Sequence, residues 1–215
     1  MEKVEIHLIG GWAYPEQCMH PLVSAMSGKA TVMLYPFTVD VSSIRPSSSR
    51  WWLAGWSLGG MLAMEAVLDG KLKPEGLILI SSTARFCAIG NGYPCGVPRS
   101  SLLLMIRGLP EARGKVLDGF FKLAGLKTHC EFSTDELLHG LQKLDAMDLR
   151  ERLAGIHIPV LILHGTSDLI VPHAAGEFLA SKIPGAKLVM QPGAGHKLPV
   201  EHAPWVAKQI QTAID

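Results

Sequence analysis

The chain has 215 residues, of which 48% are hydrophobic and 18% charged, so it can bury one well-packed core in a single domain. Its formal net charge is only +1, which argues against nucleic acid as the main partner because no overall positive field attracts phosphates. No apolar run reaches the ~20 residues of a membrane span, the start lacks a secretory pattern, and the four cysteines lack metal-ligand spacing. We therefore expect a cytoplasmic protein with reduced thiols, no metal and no cofactor.

Strand and helix signals alternate along the chain. Strands are predicted at Val4–Ile9, Thr31–Tyr35, Trp51–Gly55, Gly76–Ser81, Pro159–His164 and Lys187–Gln191. Helices are predicted at Glu16–Met26, Leu58–Leu68, Ala174–Ile183 and Glu201–Ile214. Apolar strands that alternate with helices are typical of parallel sheets covered on both faces. The pattern predicts an α/β protein with a doubly wound, mostly parallel sheet of about six strands, whose ligand site lies at the carboxyl ends of the strands.

Two connections depart from this alternation of strands and helices. The link 36–50 is near the minimum length for a crossover and is predicted to hold at most one turn of helix. Residues 87–157 separate two core strands and carry helical periodicity, and so long a connection inside a compact domain is usually functional. We interpret 1–86 and 158–215 as the core and 87–157 as a helical lid over the strand ends. The alternative is a helical element that packs on one edge of the core.

The run Gly55-Trp56-Ser57-Leu58-Gly59 has the form G-x-S-x-G and lies between a predicted strand and a predicted helix. This order is what a nucleophile elbow needs, because the outer glycines allow a sharp turn and close packing of strand on helix. Ser57 would then be exposed at the strand end, near the positive end of the helix dipole. We predict that Ser57 is a catalytic nucleophile.

A serine hydroxyl needs a base to take its proton, and the base needs a carboxylate to orient it. His196 lies in a glycine-rich loop directly after the last predicted strand, and Asp168 follows the strand Pro159–His164. Both therefore fall at the carboxyl edge of the sheet, and the chain order Ser57, Asp168, His196 is the one expected for such a fold. The alternatives are a loop histidine without a role and an aspartate that caps a helix. Asp145 and Asp148 are weaker candidates for the carboxylate that orients the base.

Acyl transfer also needs N–H donors for the developing oxyanion. The backbone N–H groups of Leu58, just after the nucleophile, and of Trp12, in the loop after the first strand, are the natural pair. The indoles of Trp12 and Trp56 are predicted to line the substrate pocket. Core packing is the alternative role for Trp12.

The whole pattern resembles the α/β-hydrolase family, and more narrowly the pimeloyl-[acyl-carrier-protein] methyl ester esterases of biotin synthesis. The pieces that carry the resemblance are G-W-S-L-G-G at Gly55–Gly60, Gly11-Trp12, M-D-L-R at Met147–Arg150 and D-L-I-V-P at Asp168–Pro172. The chain departs from the narrower group at Gly10, where that group usually has a histidine before the oxyanion glycine.

The resemblance implies that Ser57 is acylated by a pimeloyl chain, that methanol leaves, and that His196 activates the water that hydrolyses the acyl-enzyme. It also implies that basic residues of the lid contact an acidic acyl carrier protein. The segment 99–127 has six basic and two acidic side chains, and the candidate carrier contacts are Arg99, Arg107, Arg113 and Lys115. The alternative for this segment is an ordinary solvated helix face.

Two further functions stay open at this point. A broad carboxylesterase or thioesterase for short acyl chains would use the same triad, and the fold alone cannot separate it from a carrier-specific enzyme. A catalytically silent ligand-binding protein of the same fold would be expected to lose a triad residue, and this chain keeps Ser57, Asp168 and His196.

Overall fold

The structure, a computed structural model, describes residues 3–88, 93 and 95–215. The strands are β1 Glu5–Ile9, β2 Thr31–Tyr35, β3 Trp51–Trp56, β4 Gly76–Ile80, β5 Val160–Gly165 and β6 Lys187–Gln191. They form a six-stranded sheet in the order β2-β1-β3-β4-β5-β6, and each neighbouring pair is parallel. The inner strands are buried except at Trp51, the partly buried first residue of β3, whereas the edge strands β2 and β6 are half-buried. The predicted α/β class and strand number are confirmed.

Helices cover the sheet on both faces. The helices are α1 His20–Ala25, α2 Leu58–Leu68, α3 Arg99–Ala124, α4 Thr134–Ala146, α5 Ala174–Lys182, α6 Leu198–Glu201 and α7 Ala203–Ile214, of which α3 and α4 pack against each other in the connection between β4 and β5. Helix α1 packs against α6 and α7, whereas α2 and α5 both contact the 3-10 helix Arg150–Gly155. The two groups give the doubly wound arrangement that the alternation of strands and helices predicts.

Two predicted helices are broken in the structure. The segment predicted as a helix at Glu16–Met26 is a 3-10 turn, Glu16–Met19, followed by α1, which has a proline in its first turn. The predicted helix Glu201–Ile214 begins earlier, as α6, and is interrupted at His202, where φ is −115°. The link 36–50 holds only the 3-10 turn Val41–Ser43, in agreement with its length.

A chain of polar contacts fastens the link 36–50 to the sheet. Glu5 accepts hydrogen bonds from the backbone N–H of Ser47, at 2.9 Å, and from its hydroxyl, and Glu5 Oε2 lies 3.3 Å from Nε2 of His7. His7 Nδ1 lies 2.9 Å from the Tyr35 hydroxyl. The Ser47 hydroxyl lowers the pKa of Glu5 to about 2, and burial lowers the pKa of His7 below its ordinary 6.5.

This arrangement predicts that the protein becomes less stable as the pH falls from 7 to 5. The pKa of His7, which faces Glu5 and Tyr35, is lower in the folded chain than in the unfolded chain. Below about 6.5 the unfolded chain therefore binds a proton that the folded chain excludes, which lowers the free energy of unfolding by up to about 1.4 kcal/mol per pH unit. His7→Gln should flatten this slope in urea unfolding at several pH values. Equal slopes for the two proteins would contradict the prediction.

Residues 87–157, which we call the insertion, contribute α3 and α4 between β4 and β5. The two helices pack against each other, and α3 is kinked at Ala112, whose φ and ψ are −144° and 45°, two residues after Pro110. Helix α4 begins with a capping box formed by Ser133 and Glu136. The helical periodicity predicted for the insertion is found here, while its residues 89–92 and 94 lie outside the described residues.

Ion pairs join the two chain segments at the base of the insertion. Arg85 and Asp148 form a bridge between the two chain segments that enter and leave it, and the Arg85 guanidinium lies 2.8 Å from Asp148 Oδ2. Arg150 donates to the same carboxylate at 2.8 Å, and this hydrogen bond lowers the pKa of Asp148 to about 2. The M-D-L-R run therefore joins the two chain segments that enter and leave the insertion. Asp148, a weaker candidate for the triad carboxylate, is paired with arginines rather than with His196.

Candidate active site

Ser57 occupies a sharp turn between β3 and α2. Its φ of 57° and ψ of −121° are rare for a residue with a side chain, and such strain is typical of functional turns. The backbone approaches so closely on both sides of the turn that only glycine fits there. A Cβ on Gly55 would lie 2.3 Å from the Gly59 carbonyl oxygen, and one on Gly59 would lie 2.2 Å from the Ile9 carbonyl oxygen. This geometry is that of a nucleophile elbow.

Asp168 and His196 meet at the same edge of the sheet, in the loops after β5 and β6. His196 Nδ1 lies 2.8 Å from Asp168 Oδ2, and both residues are buried. The two loops are joined by the Ser167 N–H, which donates to the Ala194 carbonyl at 2.9 Å. Because Asp168 occupies Nδ1, Nε2 is the ring nitrogen that remains to act as a base, and it is buried without a hydrogen-bond partner among the described residues.

The Asp168 carboxylate is held as an anion. Its Oδ1 accepts hydrogen bonds from the backbone N–H groups of Ile170, at 2.8 Å, and Val171, at 2.9 Å. Burial acts to raise the pKa of Asp168, but His196, His164 and the Val171 N–H together outweigh it, so the pKa is lower than the ordinary value. A buried carboxylate that stays ionised can fix the tautomer of His196 and stabilise its imidazolium form.

The loop after β1 lies directly beside Ser57. A Cβ on Gly11 would be 3.3 Å from the Cβ of Ser57, so the backbone that carries the Trp12 N–H approaches the serine closely. The Leu58 N–H opens α2 and has no carbonyl partner within its own helix. These are the two donors that the sequence predicts for the oxyanion.

A cavity of about 550 Å³ opens beside Ser57. Its wall is largely apolar and includes Trp12, Met105 and Phe120. Trp56, which the sequence analysis also assigns to the pocket, does not line it. The indole of Trp56 is fully buried and donates to the His196 carbonyl at 2.9 Å, so it joins the turn of Ser57 to the loop of His196.

Trp12 both lines the cavity and ties the insertion to the core. Its indole N–H donates to the Leu137 carbonyl in α4 at 2.8 Å, and a Cβ on Gly140 would lie 2.6 Å from the indole. Lys197, the residue after His196, reaches the insertion at the end of α3 and donates to the Gly125 carbonyl at 2.5 Å. The insertion is therefore bonded to the two loops that carry the predicted oxyanion donor and base.

The mouth of the cavity has features that sequence reasoning missed. Among the described residues, the large hydrophobic side chains with the greatest exposure are Leu104, Leu123 and Leu169, and all three line this cavity. Leu169 directly follows Asp168, which was the only sequence signal for its place. The rim also carries Lys115, an exposed cation. The cavity thus combines an apolar interior with one basic side chain at its edge.

The four candidate carrier contacts have different surroundings. Arg99 pairs with Asp145, a weaker candidate for the catalytic acid, at 2.6 and 2.7 Å. Arg113 donates to the carbonyls of Cys130, at 2.9 Å, and Phe132, at 2.8 Å, so its guanidinium joins α3 to the segment that precedes α4. These contacts assign Arg113 a structural role.

The other two candidate contacts are free to meet a partner. Arg107 and Lys115 are exposed on α3, on opposite sides of its kink. Neither forms an ion pair within the described part of the chain. Lys115 lines the cavity, whereas Arg107 lies on α3 outside the cavity lining.

No group of three or more His, Cys, Asp or Glu side chains within residues 3–88, 93 and 95–215 could hold a metal ion. Over the same residues, no helix is both long and apolar enough to span a membrane. The four cysteines are free thiols.

A parallel sheet with a strained serine between β3 and α2, and an Asp–His pair after β5 and β6, defines the α/β-hydrolase class. The chain belongs to the alpha/beta hydrolase family, whose sequence profile matches residues 37–209.

Curated relatives and a solved structure agree with this assignment. The chain is 29% identical to the pimeloyl-[acyl-carrier protein] methyl ester esterase of Nitrosomonas europaea over 68% of its length and 64% of the relative's. It is 30% identical to the protein of that name from Pectobacterium atrosepticum, over 74% and 68% of the two chains. An esterase from Exiguobacterium antarcticum has a TM-score of 0.84 at 19% identity, covering 99% of this chain and 92% of the other, which supports the fold. These two relatives are carboxylic ester hydrolases by name.

Proposed function

We propose that this chain hydrolyses a carboxylic ester through Ser57, His196 and Asp168. The observation that carries the proposal is the 2.8 Å contact between His196 Nδ1 and Asp168, buried at the same sheet edge as the strained Ser57. Nε2 of His196 takes the Ser57 proton as the serine oxygen attacks the ester carbonyl carbon. The developing oxyanion is stabilised by the N–H groups of Trp12 and Leu58, each typically worth about 3 kcal/mol.

Loss of the alcohol completes the acylation of Ser57, and hydrolysis of the acyl-enzyme then regenerates the enzyme. The tetrahedral intermediate collapses, the C–O bond to the alcohol breaks, and His196 returns the proton to the departing alcohol. A water molecule then attacks the acyl-enzyme with His196 as base, and the acid and the free Ser57 hydroxyl form. Asp168 remains ionised throughout and stabilises the imidazolium in both halves.

We propose further that the substrate is the methyl ester of a pimeloyl chain on an acyl carrier protein, with methanol as the first product. The names of the relatives support this choice. The apolar cavity suits an alkyl chain, and the exposed cations Lys115, in the cavity lining, and Arg107, elsewhere on α3, suit the acidic surface of a carrier. The insertion acts as the lid through which the carrier docks.

The test compares methanol release from methyl-pimeloyl carrier protein with hydrolysis of p-nitrophenyl butyrate. Turnover of the carrier substrate at low micromolar concentration, lost in Ser57→Ala, would support both the triad and the substrate. Hydrolysis of the small ester alone would keep the esterase and exclude the carrier. If a serine-directed phosphonate does not label the protein, the esterase proposal itself fails, as it would for a silent ligand-binding member of the family.

We predict that Arg107→Glu combined with Lys115→Glu slows carrier-bound substrate much more than the small ester. Two reversed charges at an interface rim should lower kcat/KM for the carrier substrate roughly tenfold, chiefly through slower association. Lys29→Glu combined with Lys208→Glu is the matched control, because it changes the net charge equally at exposed positions outside the cavity. An equal loss on both substrates, or the same loss in the control, would contradict a carrier contact here.

A further inference from the structure

His164 is a buried titratable residue that the proposed mechanism does not use. It lies near the end of β5, is fully buried, and its Nε2 is 2.9 Å from the Val171 carbonyl oxygen and 3.6 Å from Asp168 Oδ2. A carbonyl oxygen only accepts hydrogen bonds, so Nε2 of His164 carries a proton. Nδ1 is buried without a partner among the described residues, which fits the lone pair of a neutral imidazole.

The contacts of His164 converge on the turn that carries the catalytic carboxylate. Val171 accepts from His164 through its carbonyl and donates to Asp168 Oδ1 through its N–H at 2.9 Å. Asp168 Oδ2 is thereby left to face His196 Nδ1 at 2.8 Å. One residue, Val171, thus connects the buried histidine to the orientation of the carboxylate.

The surroundings of His164 keep it neutral. The ionisable groups that face it are Asp168, His196 and His173, and burial lowers its pKa despite the attraction of Asp168. On the other side, a Cβ on Gly176 of α5 would lie 2.8 Å from Nδ1, so the helix backbone packs directly against the ring. A proton on Nδ1 would find no acceptor there.

We infer that His164 is a positioning residue for the proposed triad. Its Nε2–H holds the turn from Asp168 to Val171 in place and directs the positive end of its dipole at Asp168 Oδ2, so that the carboxylate stays aligned with His196. This inference rests on the proposed esterase function.

The test compares His164→Leu, which removes the donor, with His164→Gln, whose side-chain amide can donate to the Val171 carbonyl. A carboxylate misplaced by a fraction of an ångström should lower kcat/KM for p-nitrophenyl butyrate roughly tenfold or more in the leucine variant. The acidic limb of its pH profile should move to lower pH, because the imidazolium of His196 loses part of its stabilisation. Glutamine should restore much of the rate and the position of the limb.

Ile162→Val is the matched control, since Ile162 is a fully buried residue of the same strand whose hydrocarbon side chain cannot form a hydrogen bond with the triad. It should lower the melting temperature without moving the acidic limb. A His164→Leu protein with the wild-type rate and limb, or with a lower melting temperature as its only change, would overturn the inference. A wild-type protein that a serine-directed phosphonate does not label would instead refute the esterase function.

A measurement on the unmodified protein covers the case in which His164→Leu fails to fold. Nitrogen-15 NMR of the histidine side chains distinguishes the two neutral tautomers and the imidazolium form. We expect His164 to be neutral with its proton on Nε2 at pH 7. A proton on Nδ1, or an imidazolium, would contradict the bond to the Val171 carbonyl and with it the positioning role.

Discussion

Replacing Ser57 by alanine is expected to lower kcat/KM for ester hydrolysis by roughly 10³- to 10⁶-fold, as loss of a triad nucleophile does elsewhere. The alanine keeps the Cβ that the tight turn already accommodates and removes only the oxygen that forms the acyl-enzyme. Circular dichroism and the melting temperature should therefore match the wild type. Initial rates on p-nitrophenyl butyrate and labelling by a serine-directed phosphonate measure the effect, and both signals should be lost.

Ser101→Ala is the matched control for Ser57. Ser101 also lines the cavity, from an exposed position on α3, but its hydroxyl is not among the hydrogen-bond partners of Asp168 or His196, and we expect its loss to change the rate little. His196→Ala should be about as damaging as Ser57→Ala, and the double variant no worse than either, because the residues act as one unit. Near-wild-type turnover in Ser57→Ala would exclude it as the nucleophile.

The sheet and the elbow could be predicted from the sequence because their signals are local. The apolar runs Gly76–Ser81 and Pro159–His164 are typical of parallel strands that are buried on both faces. The spacing of Gly55, Ser57 and Gly59 likewise encodes one backbone geometry. Asp168 and His196 could be placed at the same edge because parallel strands present all their carboxyl ends together, so chain order and strand order were sufficient.

What the sequence left undetermined depends on contacts between distant segments. The sequence analysis assigns Trp56 to the pocket, but its indole N–H donates to the His196 carbonyl in another loop. Arg113 looks like any surface cation on a helix, and only the folded chain brings it to two carbonyls some twenty residues away. His164 lies four residues before Asp168, and that spacing is the one local sign in the sequence of its contact with the turn of Asp168.

Replacing Gly59 by alanine is the second change for which we expect a large effect, this time on stability. The added Cβ would lie 2.2 Å from the Ile9 carbonyl oxygen and 2.6 Å from that of Gly10, distances that no packed carbon tolerates. Both atoms belong to the backbone at the end of β1, so no side-chain rotation can relieve the clash. We expect a loss of at least about 3 kcal/mol in the free energy of unfolding, or failure to fold.

The control is the same substitution at Gly114. An added Cβ there has no neighbour within 4 Å, and the residue lies in α3 without a positive φ, so alanine should stabilise the helix by up to about 1 kcal/mol. Urea unfolding of the two variants should therefore give changes of opposite sign. Equal stabilities would mean that α2 packs less closely on β1 than these distances require.

The same clash connects stability to catalysis, because Ile9 and Gly10 lead directly into the loop that carries the Trp12 N–H. A Gly59→Ala protein that does fold must have displaced this loop away from α2, which moves the proposed oxyanion donor relative to Ser57. Its kcat/KM should then fall by roughly 10²-fold even where it is fully folded, the scale expected for a displacement of about 1 Å or for loss of one donor. A folded variant with wild-type kcat/KM would show that the Trp12 N–H is not part of the oxyanion site.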